Sequence, residues 1–242
     1  MGGPAIMRRG LIGMALLAAS CSPPGDGNGS DGAGAARGPE PTAVIAAAGG
    51  GEGGCSFSWN GEEVTQDQLL ERSVMAIQRA IEEVGGIEAL TDKNMPFLRL
   101  EAASNAPYSC TGPALRAMER AGFADVVLRP SADRAADHRI DLPLGPPPAS
   151  RHPEMVPIIV RIEKDGRLTW DGTAIDSAGL RERLGAARLM APPVDLFVAP
   201  SADSDFMALY ETMRTIEAEN MEATLSGCAG TPGPIREGSP VC

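Results

Sequence analysis

The chain has 242 residues, enough for one or two domains, with 43% apolar residues, 4% aromatic ones and abundant Gly and Pro. It sets 21 basic against 32 acidic residues, a net charge of −11. An excess of that sign repels phosphate backbones and anionic lipid headgroups, which argues against nucleic-acid binding.

Residues 1–20 read as an export signal. Arg8 and Arg9 supply the basic start, and Leu11 to Leu17 the apolar centre. Leu17-Ala18-Ala19-Ser20-Cys21 then resembles the lipobox of bacterial lipoproteins. That resemblance implies cleavage before Cys21 and acylation of its thiol, and Ser22 in place of Asp implies the outer membrane. The apolar run falls far short of the ~20 residues that cross a bilayer, so the expected attachment is an anchor and not a span.

Residues 21–41 are Gly, Pro, Ser and Asp with almost nothing to bury, a tether by composition. A first module is expected over residues 42–130. Thr42 to Ala46 is its opening strand, followed by a Gly-rich turn over Gly49 to Gly54. Phe57-Ser58-Trp59-Asn60-Gly61 is the return strand and turn. Thr65-Gln66-Asp67-Gln68 is a capping box for a helix reaching Val84, ended by Gly85-Gly86. Phe97 to Leu100 is the next strand. A second helix is expected to start near Pro113 and to end at Gly122, and Ala124 to Leu128 is a closing strand.

Residues 131–153 read as a polar, Pro-rich linker in which His138 and His152 are solvated. A second module is expected over residues 154–228. Pro157 to Ile162 is a β-branched strand, Asp165-Gly166 a hairpin turn, and Leu168-Thr169-Trp170 the return strand. Asp176 caps a helix with Leu180 and Leu184 inward, and Val194 to Ala199 is a strand. Ser204 caps a helix carrying Phe206, Leu209, Met213 and Ile216, Asn220 takes a left-handed cap, and Met221 to Leu225 closes the module. Residues 229–242 form a Gly/Pro-rich tail.

The two modules are one pattern written twice. Trp59 and Trp170 lie 111 positions apart, as do Thr65 and Asp176, and Leu69 and Leu180. After an insertion the offset becomes 98, pairing Tyr108 with Phe206, Leu115 with Met213, Met118 with Ile216, and Gly122 with Asn220. Gly and Asn are the residues that best tolerate a left-handed helix cap, so their coincidence points to duplication. The fold expected is α+β, two tandem ββαβαβ modules, each a small sheet with two helices on one face. Two such small cores are expected to pack together as a pseudo-twofold pair within one chain, making that pairing independent of concentration.

Cysteine use fits an oxidising compartment. With Cys21 lipidated, Cys55, Cys110, Cys228 and Cys242 remain, an even number with three possible pairings. Cys55–Cys110 with Cys228–Cys242 is the favoured set, unless the topology holds Cys55 and Cys110 more than about 7 Å apart.

The hairpin from Asp165 to Gly172, the capped helix at Leu180 to Leu184, and the strand, aromatic-led helix and strand from Leu196 to Leu225 resemble the periplasmic domain of the ExbD/TolR family of biopolymer-transport proteins. Ala106-Pro107-Tyr108 and Arg120-Ala121-Gly122 carry the same resemblance in the first copy. It implies an accessory interaction module for envelope transport, with a protein partner or cell-wall peptidoglycan as target. The family's transmembrane helix carries an acid that couples to protons. Residues 1–20 contain no acid, so that role has no residue here.

Enzymatic readings find less support in the residues. Asp203-Ser204-Asp205 reads as a helix cap rather than a metal loop, and Glu82 and Glu83 point apart on their helix. Gly49 to Gly54 lacks the Lys-Ser/Thr ending of a phosphate loop. No catalytic residue, metal or cofactor is therefore expected, and Trp59 and Trp170 read as core anchors. The alternative is an exported enzyme or small-molecule binder with a site between the modules, marked by converging perturbed acids.

Overall fold

The structure, a computed structural model, describes residues 40–49, 54–131, 137–141 and 154–225. The first module runs β1 (Ala43–Gly49), β2 (Cys55–Trp59), β3 (Glu62–Val64), α1 (Gln66–Glu83), β4 (Leu98–Ala102), α2 (Tyr108–Ala121), β5 (Asp125–Pro130) and β6 (His138–Asp141). The second runs β7 (Val156–Ile162), β8 (Leu168–Trp170), β9 (Thr173–Ile175), α3 (Ser177–Ala187), β10 (Val194–Pro200), α4 (Phe206–Ala218) and β11 (Thr224–Leu225). This is an α+β architecture with two modules.

The sheets share one plan. The first has order β3-β2-β1-β4-β5-β6 and the second β9-β8-β7-β10-β11. In each the first strand lies between its antiparallel hairpin partner and a parallel neighbour. Ile45 faces Trp59 and Leu100 across those two pairings, and Val160 faces Trp170 and Val198. Strand alternation sends Ala43, Ile45, Ala47, Leu98 and Leu100 to the helix-covered face.

Each module contains a short third strand beyond the expected order. Glu62–Val64 and Thr173–Ile175 fold back on the Trp strands after Asn60-Gly61 and Asp171-Gly172. Both turns use left-handed residues, with φ 51° at Asn60 and 47° at Asp171. The side chains then lock them: Val44 N–H donates to Asn60 Oδ1, and Ile159 N–H to Asp171 Oδ1, each at 2.9 Å.

The helix caps follow the residues. Thr65 and Gln68 form the reciprocal capping box of α1, and Asp176 Oδ1 accepts from Gly179 N–H at 2.7 Å at the start of α3. Gly122 closes α2 at φ 97°, and Asn220 follows α4 at φ 54°. Every buried position of α4 matches a buried position of α2 at the offset of 98, so the two helices present the same inward stripe.

Four expectations are corrected. Helix α2 starts at Tyr108, not near Pro113, which sits inside its second turn. Ser204 is not the cap of α4; Asp205 holds that place with no side-chain bond, while the Ser204 hydroxyl donates to Ser201 O at 2.8 Å. The segment read as linker supplies β6, which pairs antiparallel with β5, Leu128 opposite His138. His138 is accordingly buried, not solvated.

The modules meet around a local twofold. Tyr108 N–H donates to Ser204 O at 2.9 Å, and Phe206 N–H to Ala106 O at 2.8 Å. Ser109 N–H donates to Ala202 O and Met207 N–H to Ser104 O, at 2.8 and 2.9 Å. Each pair of bonds is exchanged by the offset of 98, and Pro107 lies opposite Asp205 at the centre.

Candidate functional site

Three places, and a counterpart of the first in the second module, stand out by their polar groups, and each follows from the duplication and its asymmetries. The first is a shallow cleft of about 420 Å³ on the hairpin side of the first module, around Trp59. Trp59 ends strand β2, next to the edge strand β3, and α1 lays Arg72, Met75 and Arg79 beside it at helical spacing. Arg72 is held by Glu62 of β3 through two bonds of 2.7 and 2.8 Å, a fork-on-fork pair. That pairing pulls the Glu62 carboxyl below its ordinary range. Arg79 is exposed and has no ion-pair partner among the described residues, and Met75 is 48% exposed.

The second copy has a cleft of about 660 Å³ at the matching place, but Asp176, Glu182, Arg183 and Ala186 line it and its tryptophan does not. Trp170 is only 6% exposed, whereas Trp59 is half-buried. Met190 and Ala186 stand where Arg79 and Met75 stand in the first copy. The Trp residues were both expected as core anchors; Trp170 is one, and Trp59 only in part. The sequence difference at Arg79 was the available signal.

The second place is a groove of about 670 Å³ between α3 and α4. In the first module α1 has 18 residues and lies closely along α2, with Ile77 beside the Gly122 turn. Helix α3 has 11 residues and touches α4 far less, so the space stays open. Its floor is Leu168 and Leu180, and its rim mixes Arg181 and Arg214 with Asp165, Asp205 and Glu211. Opposite charges share this rim, so it has no single electrostatic preference.

The third is the junction. His138 of β6 sits against α4, its Nδ1 2.9 Å from Glu217 Oε2, with its ring edge-on to Tyr210. Desolvation holds the His138 pKa below the ordinary imidazole value, with Arg214 acting the same way and Glu217 opposing. Nearby, Asp125 forms an ion pair with Arg139 at 3.3 Å, and burial raises its carboxyl. Tyr108, the first residue of α2, is buried, and desolvation pushes its hydroxyl well above the usual range. Among the described residues His138 meets the Glu217 carboxylate and the Tyr210 ring.

Of the cysteines, Cys55 and Cys110 form a disulfide with Cα atoms 5.3 Å apart, tying the start of β2 to the first turn of α2. Cys21, Cys228, Cys242 and His152 lie outside the described residues. Asp203 and Asp205 flank a buried Ser204 at the module junction. Among the described residues no three His, Cys, Asp or Glu side chains gather as a metal would require, and no helix is long and apolar enough to cross a membrane.

No model of a known protein family matches the chain, and no curated protein matches it.

Proposed function

We propose that the protein is a non-catalytic, lipid-anchored cell-envelope module resembling the periplasmic domain of the ExbD/TolR family, exported and attached through Cys21, which makes contact with cell-wall peptidoglycan or an envelope protein. The observation that carries this reading is the cleft around Trp59 on a self-paired duplicate. The half-buried indole lines this cleft beside the guanidinium of Arg79, which has no ion-pair partner among the described residues. A flat apolar face suits a sugar ring, and a guanidinium suits a carboxylate. A polymer of acidic sugars and peptides offers both on one repeating unit.

The pairing of the modules supports the same reading. A domain that buries its pairing surface within one chain keeps its hairpin side free for a partner. Co-sedimentation of the full chain with purified peptidoglycan tests the first target, with Trp59→Ala and Arg79→Ala as controls. Each substitution is expected to lower the bound fraction several-fold; Arg79→Ala leaves the unfolding midpoint unchanged, whereas Trp59→Ala, which removes a half-buried ring packed against the core, lowers it. Pull-down of a motor-type membrane protein tests the second target. Absence of both interactions would leave the proposal without support.

A further inference from the structure

Strand β6 belongs to the first sheet through β5, yet its buried histidine packs on a helix of the second module. His138 is 4% exposed, its Nδ1 is 2.9 Å from Glu217 Oε2, and its ring meets Tyr210 edge-on at 6.1 Å between centroids. Arg214, also on α4, sits over the other part of this cluster with its guanidinium 5.6 Å from the Tyr210 ring. The charges of β5 and β6 beside His138 are taken up among themselves. Arg99 of β4 and Arg129 both reach Asp137, at 2.8 and 3.8 Å, and Arg139 forms an ion pair with Asp125, which faces Asp141 across the strands.

We propose that this contact is an acid-sensitive latch, in which neutral His138 holds β6 against α4 and its protonation loosens the junction between the modules. The acid that would offset an imidazolium is poorly placed to do so. Glu217 is 71% exposed, so water competes for its carboxylate, while the ring it faces is dehydrated. Burial therefore outweighs the carboxylate, and Arg214 adds to the penalty. A base whose pKa is lowered by docking contributes its full stability above its ordinary value of 6.5 and loses it as pH falls below that.

The latch is local because its attachments are few. Strand β6 has four residues and, among the described residues, one neighbouring strand, β5, so it opens at lower cost than the central strands. The four backbone bonds between Ser104–Ser109 and Ala202–Met207 contain no titrating group and keep the modules joined. Acid thus frees the outer edge of β5 without separating the two halves, and a free edge is a place where another extended chain can pair.

Hydrogen exchange of the full chain, read by mass spectrometry at about pH 7.5 and about pH 5.5 and corrected for the intrinsic rate, tests the latch. Protection of the β6 amides is expected to fall several-fold on acidification, short of the about tenfold ceiling that an ordinary value of 6.5 sets, while β1 and β7 keep theirs. His138→Phe, or His138→Gln if the larger ring perturbs the contact, is expected to remove the pH dependence. Glu217→Gln is expected to enlarge it, because the one group favouring the charged ring is gone. Equal protection of β6 at both pH values, or an unchanged pH dependence in both His138 variants, would overturn the proposal.

Discussion

Gly166 and Ala208 touch in the second module at the place where Cys55 and Cys110 are bonded in the first. A Cβ at Gly166 would lie 3.3 Å from the Ala208 Cβ, and the offsets of 111 and 98 map one pair of positions onto the other. Oxidised Gly166→Cys/Ala208→Cys is therefore expected to close a second bridge. Loop closure favours it by about 4 kcal/mol, and the positive φ of 72° at Gly166 takes back roughly 1–2 kcal/mol. Peptide mapping under non-reducing conditions checks the bond, and urea unfolding the gain. Free thiols at both positions after oxidation would contradict the equivalence.

The native bridge makes the complementary prediction. Cys55→Ser/Cys110→Ser releases a loop of 55 positions and is expected to cost about 2–5 kcal/mol. The loss should appear as a lower urea midpoint, with exchange protection falling in β2 and α2 and preserved in β7 and β10.

Asn60 and Asp171 occupy matching left-handed turn positions, and each accepts a backbone N–H from the first strand of its sheet. Replacing either by Ala removes that bond and leaves a Cβ residue at positive φ, at a cost of about 1–3 kcal/mol. Gly at the same position keeps the backbone freedom and is expected to cost less than Ala. Thermal unfolding of the four variants would distinguish the two contributions, and an Ala variant as stable as the Gly one would count against the strain argument.

Gly122→Ala tests the left-handed end of α2. Its new Cβ would find Ile77 at 3.8 Å, an ordinary contact, so the expected loss of about 1–2 kcal/mol comes from the backbone. Asn220→Gly at the matching place is expected to be neutral or stabilising, because Asn tolerates φ 54° less well than Gly does. Urea midpoints with unchanged slopes would check both.

Asp125 stands opposite Asp141 across β5 and β6, and its carboxyl is raised chiefly by burial, with Arg139 opposing. A raised carboxyl contributes stability below its ordinary value of 3.8 and loses it as pH rises through the folded value. Asp125→Asn removes that loss. Its stability relative to the native chain is expected to rise between about pH 4 and pH 7, by under about 1 kcal/mol. Paired urea titrations at the two pH values check the sign.

The sequence displayed the periodic parts of this fold and concealed the short ones. Trp59 with Trp170, Thr65 with Asp176, and Gly122 with Asn220 marked both copies, because turns and caps restrict residue choice tightly. Strands β3 and β9 have three residues each, too few for alternation to emerge. In β6 the His-Arg-Ile-Asp alternation was present, buried and exposed in turn, but Pro-rich surroundings masked it. The cleft was less legible still. Whether Trp59 lies open depends on what α1 places beside it, and that is a property of packing between elements rather than of any one stretch.

The four backbone bonds that join the modules also free them from each other in descent. In a homodimer every substitution falls on both partners at once, so a ligand site cannot be gained on one without burdening the other. Here each half has its own codons. One half carries a disulfide, an added strand and a tryptophan in its cleft, and the other an uncovered groove, while the backbone bonds of the seam match between them.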